Sequence, residues 1–362
     1  MRWLVRCPLH VVSIACVLLV ALLARPAAAR EAERVYTPEE PGSGAKLLAI
    51  DDRGDLLFVR PGAESNWIEA IDSDHGKVKG RYEGLAPATC AYVDPGGNWL
   101  LAGDAQGRVM RWRLKDGVRD QVLEIKDDAG APRPVSAIVA GRHGVFVFSR
   151  GLLGELTQAV FSQHFDAQQH ARVVFRKEGH TIECVDERKG LVVTSNGGNL
   201  YGFDPSKEEA LWTRELGYAP TTVVDVPGVH YVLEAKDTLR LIEDRKGEVY
   251  EERDCEGVTC AVVLEDAETI YVGMHGGSVD RYVEDKEGGT HGLSPADRER
   301  QKHDRNSIIF RPSERWGGFA SAVTAILVEP RGNELFASDS KGNLYKIWIG
   351  DDHNDGNIGP IH

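Results

Sequence analysis

The chain repeats itself, and that repetition limits the folds open to it more than any other feature. Set "VTAILVEPRGNELFASDSKGNLYKIWI", Val323 to Ile349, beside "ATCAYVDPGGNWLLAGDAQGRVMRWRL", Ala88 to Leu114. In both, an apolar stretch carrying a Thr runs into an acid-Pro-x-Gly-Asn turn. A second apolar stretch follows, then a Gly, then a third stretch containing Trp. Asp94-Pro95-Gly96-Gly97 matches Glu329-Pro330-Arg331-Gly332, Gly107 matches Gly342, and Trp112 falls close to Trp348. Pro fixes φ and Gly tolerates positive φ, so Pro-x-Gly makes a tight turn. The later Gly marks a short hairpin.

Weaker copies begin near Leu47, Val135, Thr181, Thr221 and Val258, which makes seven units. Their spacing, mostly about 40 residues or a little more, is that of a four-stranded propeller blade. The stretches are short, rich in Val, Thr, Tyr and Phe, and regularly punctuated by turn signals, so they read as strands. The predicted fold is all-β: one seven-bladed β-propeller over residues 30–350. In "GNLYKIWI", Leu344, Lys346 and Trp348 alternate with Tyr345, Ile347 and Ile349, leaving apolar bulk on both faces as stacked sheets require. The last unit has three strands and no outer fourth. A spare segment, "ERVYTPE", precedes the first unit. Val35 and Tyr36 are therefore predicted to pair beside Asn343–Ile349 and close the ring, because open sheet edges recruit other chains.

Residues 1–29 read as a cleaved signal peptide. Arg2 and Arg6 precede an apolar run from Val11 to Ala24, and Ala27, Ala28 and Ala29 precede Arg30. The run has roughly 14 residues, short of the ~20 that span a bilayer. An uncleaved anchor is the alternative. The expected location is secreted or periplasmic, without membrane insertion after cleavage. Net charge is −13, and losing Arg2, Arg6 and Arg25 makes it more negative. That charge repels phosphate backbones, so nucleic acid is not expected as a partner. Cys90, Cys184, Cys255 and Cys260 lie beyond the signal. An oxidising compartment allows bridges between them. Yet Cys90 and Cys260 align with Ala137 and Ala325, as small buried residues would. Only Cys255 and Cys260 are close enough in sequence to close a small loop.

These units resemble the WD-repeat and quinoprotein-like β-propellers. The Pro-x-Gly turns, hairpin glycines and strand tryptophans carry the resemblance, which covers nearly all of residues 30–350. It implies fold and says little of function. The Gly-His start of WD repeats is clear once, at Gly179-His180, and no Trp-Asp pair follows. Gln106 and Lys341 stand directly before the hairpin glycines where the family has Asp, so the hydrogen-bonded tetrad of such blades is expected to be mostly missing. "NLYGFDPSKEEALWTREL" from Asn199 looks like a quinoprotein repeat, with Tyr201, Asp204 and Trp212 in order, and Trp67 opens a fainter copy. Quinone-dependent relatives place adjacent cysteines against their cofactor. None are adjacent here, and no cofactor is expected.

Aromatic and Arg residues on the connections between units suit an interface. Arg133, Lys177, His180, Tyr218, Arg315, Trp316 and Phe319 are the candidate binding residues of this loop face. They point to a non-catalytic module for a protein or glycan partner. The alternative is a channel-centred hydrolase or lyase, metal-dependent or not, drawing on His180, Glu183, Asp186 or Asp225. No nucleophile elbow, paired metal motif or phosphate loop is present. Before Val323 the spacing lengthens: Ser294-Pro295 opens a short helix, "NSIIFRP" reads as an outer strand, and "SERWGGFASA" as a loop. The tail 351–362 is expected to be mobile; its Asp351-x-His353-x-Asp355-Gly356 only partly mimics a calcium loop.

Overall fold

Each repeat unit folds into short antiparallel strands because its apolar runs, mostly five or six residues long, end at turn-forming residues. The hairpins at Gly107 and Gly342 need positive φ, at 80° and 85°, where a side chain would be strained. Their N–H groups bond back to Asp104 O and Asp339 O at 3.2 and 2.9 Å. The computed structural model describes residues 30–39, 44–127, 129–141, 144–149, 153–161, 168–186, 191–226, 229–234, 238–243, 246–264, 269–284 and 310–350. Residues 1–29, the proposed helix after Ser294 and the tail 351–362 lie outside these.

Among the described residues the strands form seven sheets, each ordered from its first strand outward. The first sheet is Lys46–Ile50, Leu56–Arg60, Trp67–Asp72 and Val78–Glu83; the second is Ala88–Val93, Trp99–Asp104, Arg108–Arg113 and Arg119–Glu124. The third is Val135–Gly141, Gly144–Ser149, Leu153–Phe161 and Gln168–Glu178; the fourth is Thr181–Asp186, Leu191–Asn196, Asn199–Phe203 and Ala210–Glu215. The fifth is Pro220–Val226, Val229–Glu234, Thr238–Glu243 and Val249–Asp254; the sixth is Val258–Val263, Thr269–Met274, Val279–Glu284 and Phe310–Gly317. The seventh is Val323–Val328, Glu334–Asp339 and Leu344–Trp348, with Glu33–Tyr36 as its outer strand. Glu33 lies opposite Lys346, Arg34 opposite Tyr345 and Tyr36 opposite Leu344. Arg30–Glu31 runs parallel to Trp316 and Gly317 on the sixth sheet. The N-terminal strap thus bridges two neighbouring sheets.

The cores lie between sheets. Phe58, Ile68 and Tyr82 of the first pack with Leu100, Met110 and Trp112 of the second. Leu57, Val59 and Ile71 of the first pack with Phe336 and Leu344 of the seventh. The first strand of the seventh sheet also touches that of the first. This arrangement is a β-propeller. Every sheet carries a one-residue bulge on its first strand, at Leu48, Thr89, Ser136, Glu183, Thr221, Thr259 and Thr324. Every outer strand carries at least one as well, at Lys79, Val122, Val174, Leu211, Tyr250, Ser313 and, in the strap, Val35, with a second at Gln169 in the third sheet. A bulge twists an edge and breaks the ladder that another chain would join.

Three expectations change, and one pairing the sequence left open is settled. Trp112 pairs with Leu100 and Ile347 pairs with Leu335, so Trp112 corresponds to Ile347. Trp112 is 1% exposed and Trp348, one residue further on, is 54% exposed. Arg315 and Trp316 belong to the outer strand Phe310–Gly317, not to a loop. No disulfide joins Cys255 to Cys260. The stiffening networks are present in altered form. Asp104, fully buried, accepts from Gln106 N, Arg108 N and Arg108 Nε at 2.9, 2.9 and 2.8 Å. Asp339, also fully buried, accepts from Asn343 Nδ2 at 2.9 Å and Tyr345 OH at 3.0 Å. Each Asp stands three residues before its glycine.

Candidate functional site

The first strands carry the side chains closest to the centre of the ring. A bulge leaves one residue out of the ladder and re-aims its side chain. At two bulges that side chain stitches neighbouring sheets. Thr89 Oγ1 donates to Gly103 O at 3.1 Å in its own sheet and to Val135 O at 2.6 Å in the next. Thr259 Oγ1 does the same, to Gly273 O at 2.9 Å and Val323 O at 2.5 Å. Ser136 Oγ donates to Phe148 O at 3.2 Å, and Glu183 accepts from Ser195 Oγ at 2.5 Å. The motif "TCA" at Thr89 and Thr259 was visible in the sequence. Its inter-sheet bond was not, because the acceptor lies about a full repeat away or further along the chain.

The residue after each Thr is small because it faces a glycine. A Cβ on Gly273 would meet Cys260 Sγ at 2.6 Å, and one on Gly103 would meet Cys90 Sγ at 3.1 Å. Burial pushes both thiols up to about 11, so they stay protonated near neutrality.

The structure disperses the predicted binding residues. His180 is 7% exposed; its Nδ1 lies 2.8 Å from Thr194 Oγ1, and its ring meets Tyr201 and Phe203 at 4.7 and 5.6 Å. Burial and then the charge of Lys177 lower its pKa. His180 therefore braces the fourth sheet, as a Gly-His start would, and presents nothing to a ligand. Trp316 is 2% exposed against Tyr271, at 5.9 Å between rings. It is a core residue, because strand alternation turns it inward. Lys177 spans to Glu208 O at 2.8 Å and lies 5.1 Å over the Phe203 ring.

The others sit nearer the surface. Arg133 is mostly buried and pairs with Asp127 at 3.7 Å. Phe319 stacks on Tyr345 at 4.4 Å. Tyr218 is 42% exposed. Arg315 grips Asp280 with Nε and a terminal nitrogen at 2.7 and 2.6 Å, and its side chain stays 59% exposed. That bidentate bond raises the Arg315 pKa and leaves its outer face available. Glu183 is engaged as above; Asp186 and Asp225 fall on first strands, with side chains outside the described set. Among the described residues, no group of three or more His, Cys, Asp or Glu is arranged to hold a metal ion.

Comparison with known proteins agrees with the fold. The β-propeller domain of Cps50 (Swd1) from Myceliophteria thermophila superposes with a TM-score of 0.60 at 11% identity, covering 85% of this chain and 97% of that one. A chain of the mitotic checkpoint complex superposes with a TM-score of 0.60 at 14% identity, covering 88% and 94%. No family model and no curated protein matches the sequence. The chain shares the β-propeller fold of these structures. At these identities the likeness is one of fold alone.

Proposed function

We propose that this chain is a non-catalytic, secreted or periplasmic binding module: a seven-bladed ring, sealed by its N-terminal strand, that engages a protein or glycan through the connections between blades. One observation carries this reading. The polar side chains seen nearest the inner strands are spent on holding the sheets: His180 on Thr194, Glu183 on Ser195, and Thr89 and Thr259 on the next sheet. The aromatic and cationic groups that reach solvent, Tyr218 and Arg315, sit on or beside the connections. Such groups anchor interfaces once desolvated. One structurally similar chain is itself part of an assembly, the mitotic checkpoint complex.

The test uses the chain beginning at Arg30 as bait in quantitative interaction mass spectrometry, with Tyr218→Ala/Arg315→Gln as comparison. The Gln keeps a hydrogen bond to Asp280. The double variant is expected to lose the specific partner set at unchanged thermal stability. Unchanged capture would overturn the loop-face assignment. Stoichiometric bound metal together with hydrolase activity would overturn the non-catalytic reading.

A further inference from the structure

A pocket of about 230 Å³ opens where the strap meets the outer part of the first sheet, lined by Tyr36, Glu39, Pro61, Trp67, Glu69 and Arg81 among others. Its floor is a carboxylate. The Glu69 side chain is only 6% exposed, yet it sits among three donors from two directions. Trp67 Nε1 reaches Oε1 at 3.3 Å, Arg81 reaches Oε1 at 3.0 Å, and Tyr36 OH reaches Oε2 at 3.3 Å. Burial, then the Glu69 charge, push the Tyr36 phenol up to about 12. It remains a donor across the neutral range.

Two features make this more than a core network. Trp67 is only half-buried, so its ring forms a wall of the pocket. The guanidinium of Arg81 lies 5.7 Å over that ring while its side chain stays 54% exposed. Arg81 is thus an exposed cation resting on an aromatic face and against a buried carboxylate, the arrangement that selects cationic groups. With Glu39 also in the lining, two carboxylates face one guanidinium. The remaining charge is negative, as is the chain's own net of −13, so a basic partner is favoured and a second copy of this chain is not.

We propose that this pocket is a subsite for an arginine side chain of a basic partner, and that Arg81, on the pocket wall, holds the cation position against Glu69 and Trp67 when the partner is absent. The inference concerns the strap seam and does not depend on the loop face. A site occupied part of the time by its own side chain binds an outside ligand with an affinity reduced by the vacant fraction. The Arg81 side of this pair is open to solvent, which screens it, so removing Arg81 should tighten binding about fivefold.

The probe is N-acetyl-arginine methylamide, titrated into the ¹⁵N-labelled chain while the indole N–H resonances are followed. The Trp67 indole, which donates to Glu69, should shift while the buried Trp112 and Trp316 do not. Arg81→Ala should bind about fivefold more tightly, and Glu69→Gln should lose the shift. Arg81 is exposed, so its variant carries the test even if Glu69→Gln folds poorly. Weaker or unchanged binding by Arg81→Ala, or shifts spread equally over all indoles, would overturn the proposal.

Discussion

If the strap seals the ring, a single added methyl group should detect it. Gly76 and Gly117 occupy equivalent turns after the third strands of the first and second sheets. Gly76 N bonds to Asp72 O and Gly117 N to Arg113 O, both at 2.8 Å, with φ of 64° and 68°. Alanine at either position pays the same left-handed backbone penalty, about 1–2 kcal/mol. The surroundings differ. A Cβ at Gly117 meets no described atom within 4 Å, whereas one at Gly76 runs into the carbonyl of Val35, the bulged residue of the strap.

The extra cost at Gly76 is that of overpacking, about 1–3 kcal/mol. It is capped by what the strap contributes, since the strap escapes the clash by detaching. For a domain of this size 1 kcal/mol moves Tm by roughly 2 °C. Gly76→Ala is therefore expected to melt roughly 2–6 °C below Gly117→Ala, read by differential scanning fluorimetry. In a chain lacking residues 30–39 the two variants should cost the same, which isolates the coupling as a double-mutant cycle does. Equal costs in the full chain would refute the idea that the strap holds the ring together.

Two further outcomes are expected. Thr89→Val with Thr259→Val removes both inter-sheet bonds and leaves Val135 O and Val323 O without those donors, at about 1–3 kcal/mol each. Thr→Ser at the same sites should restore most of the loss in urea unfolding, and a double Val variant as stable as wild type would show the stitches to be idle. His180 is held neutral by burial, so its folded pKa lies below the ordinary 6.5. The unfolded chain then binds the proton first as pH falls, and the His180 contribution, complete above about 6.5, is lost as pH drops through the depressed folded value. His180→Gln should flatten the decline in unfolding free energy between pH 7.5 and 5; an unchanged slope would remove His180 from the account.

Much of the fold could be read from sequence because it is local. A Pro-x-Gly turn needs only adjacent residues, so Asp94–Gly97 and Glu329–Gly332 marked their hairpins correctly, and the repeat period followed. What stayed hidden depends on register or on the neighbouring sheet. Trp112 and Trp348 looked equivalent because alternation is satisfied by either register, and a one-residue slip sends one to the core and the other to solvent. Trp316 looked like a loop residue because Gly317-Gly318 suggests a break, yet the outer strand runs up to that pair. The stabilising carboxylates were sought directly before the hairpin glycines and lie three residues earlier, at Asp104 and Asp339, where they still cap the turn. Glu69 carried no motif at all; its partners come from the strap, the third strand and the fourth.

The bulge residues also bear on the junction between the seventh and first sheets. Thr89 and Thr259 tie their sheets to the next through a carbonyl. Thr324 occupies the same place in the seventh sheet, yet its hydroxyl bonds to Ser338 O and Oγ at 3.2 and 3.1 Å, within its own sheet. The seam between the seventh and first sheets therefore lacks that stitch. Other contacts cross it instead: Tyr36 OH to Glu69, Lys346 Nζ to Asp74 at 2.7 Å, and Val35 O packed on Gly76. Two of these three come from the strap. The bulge residue at this seam, like Ser136 and Glu183, bonds within its own sheet, and the strap contacts that cross the seam join residues only a few tens of positions apart, whereas Lys346 reaches Asp74 across 272. Loosening Glu33–Tyr36 should weaken this junction, and the arginine-accepting pocket, built from the strap and the first sheet, would be lost with it.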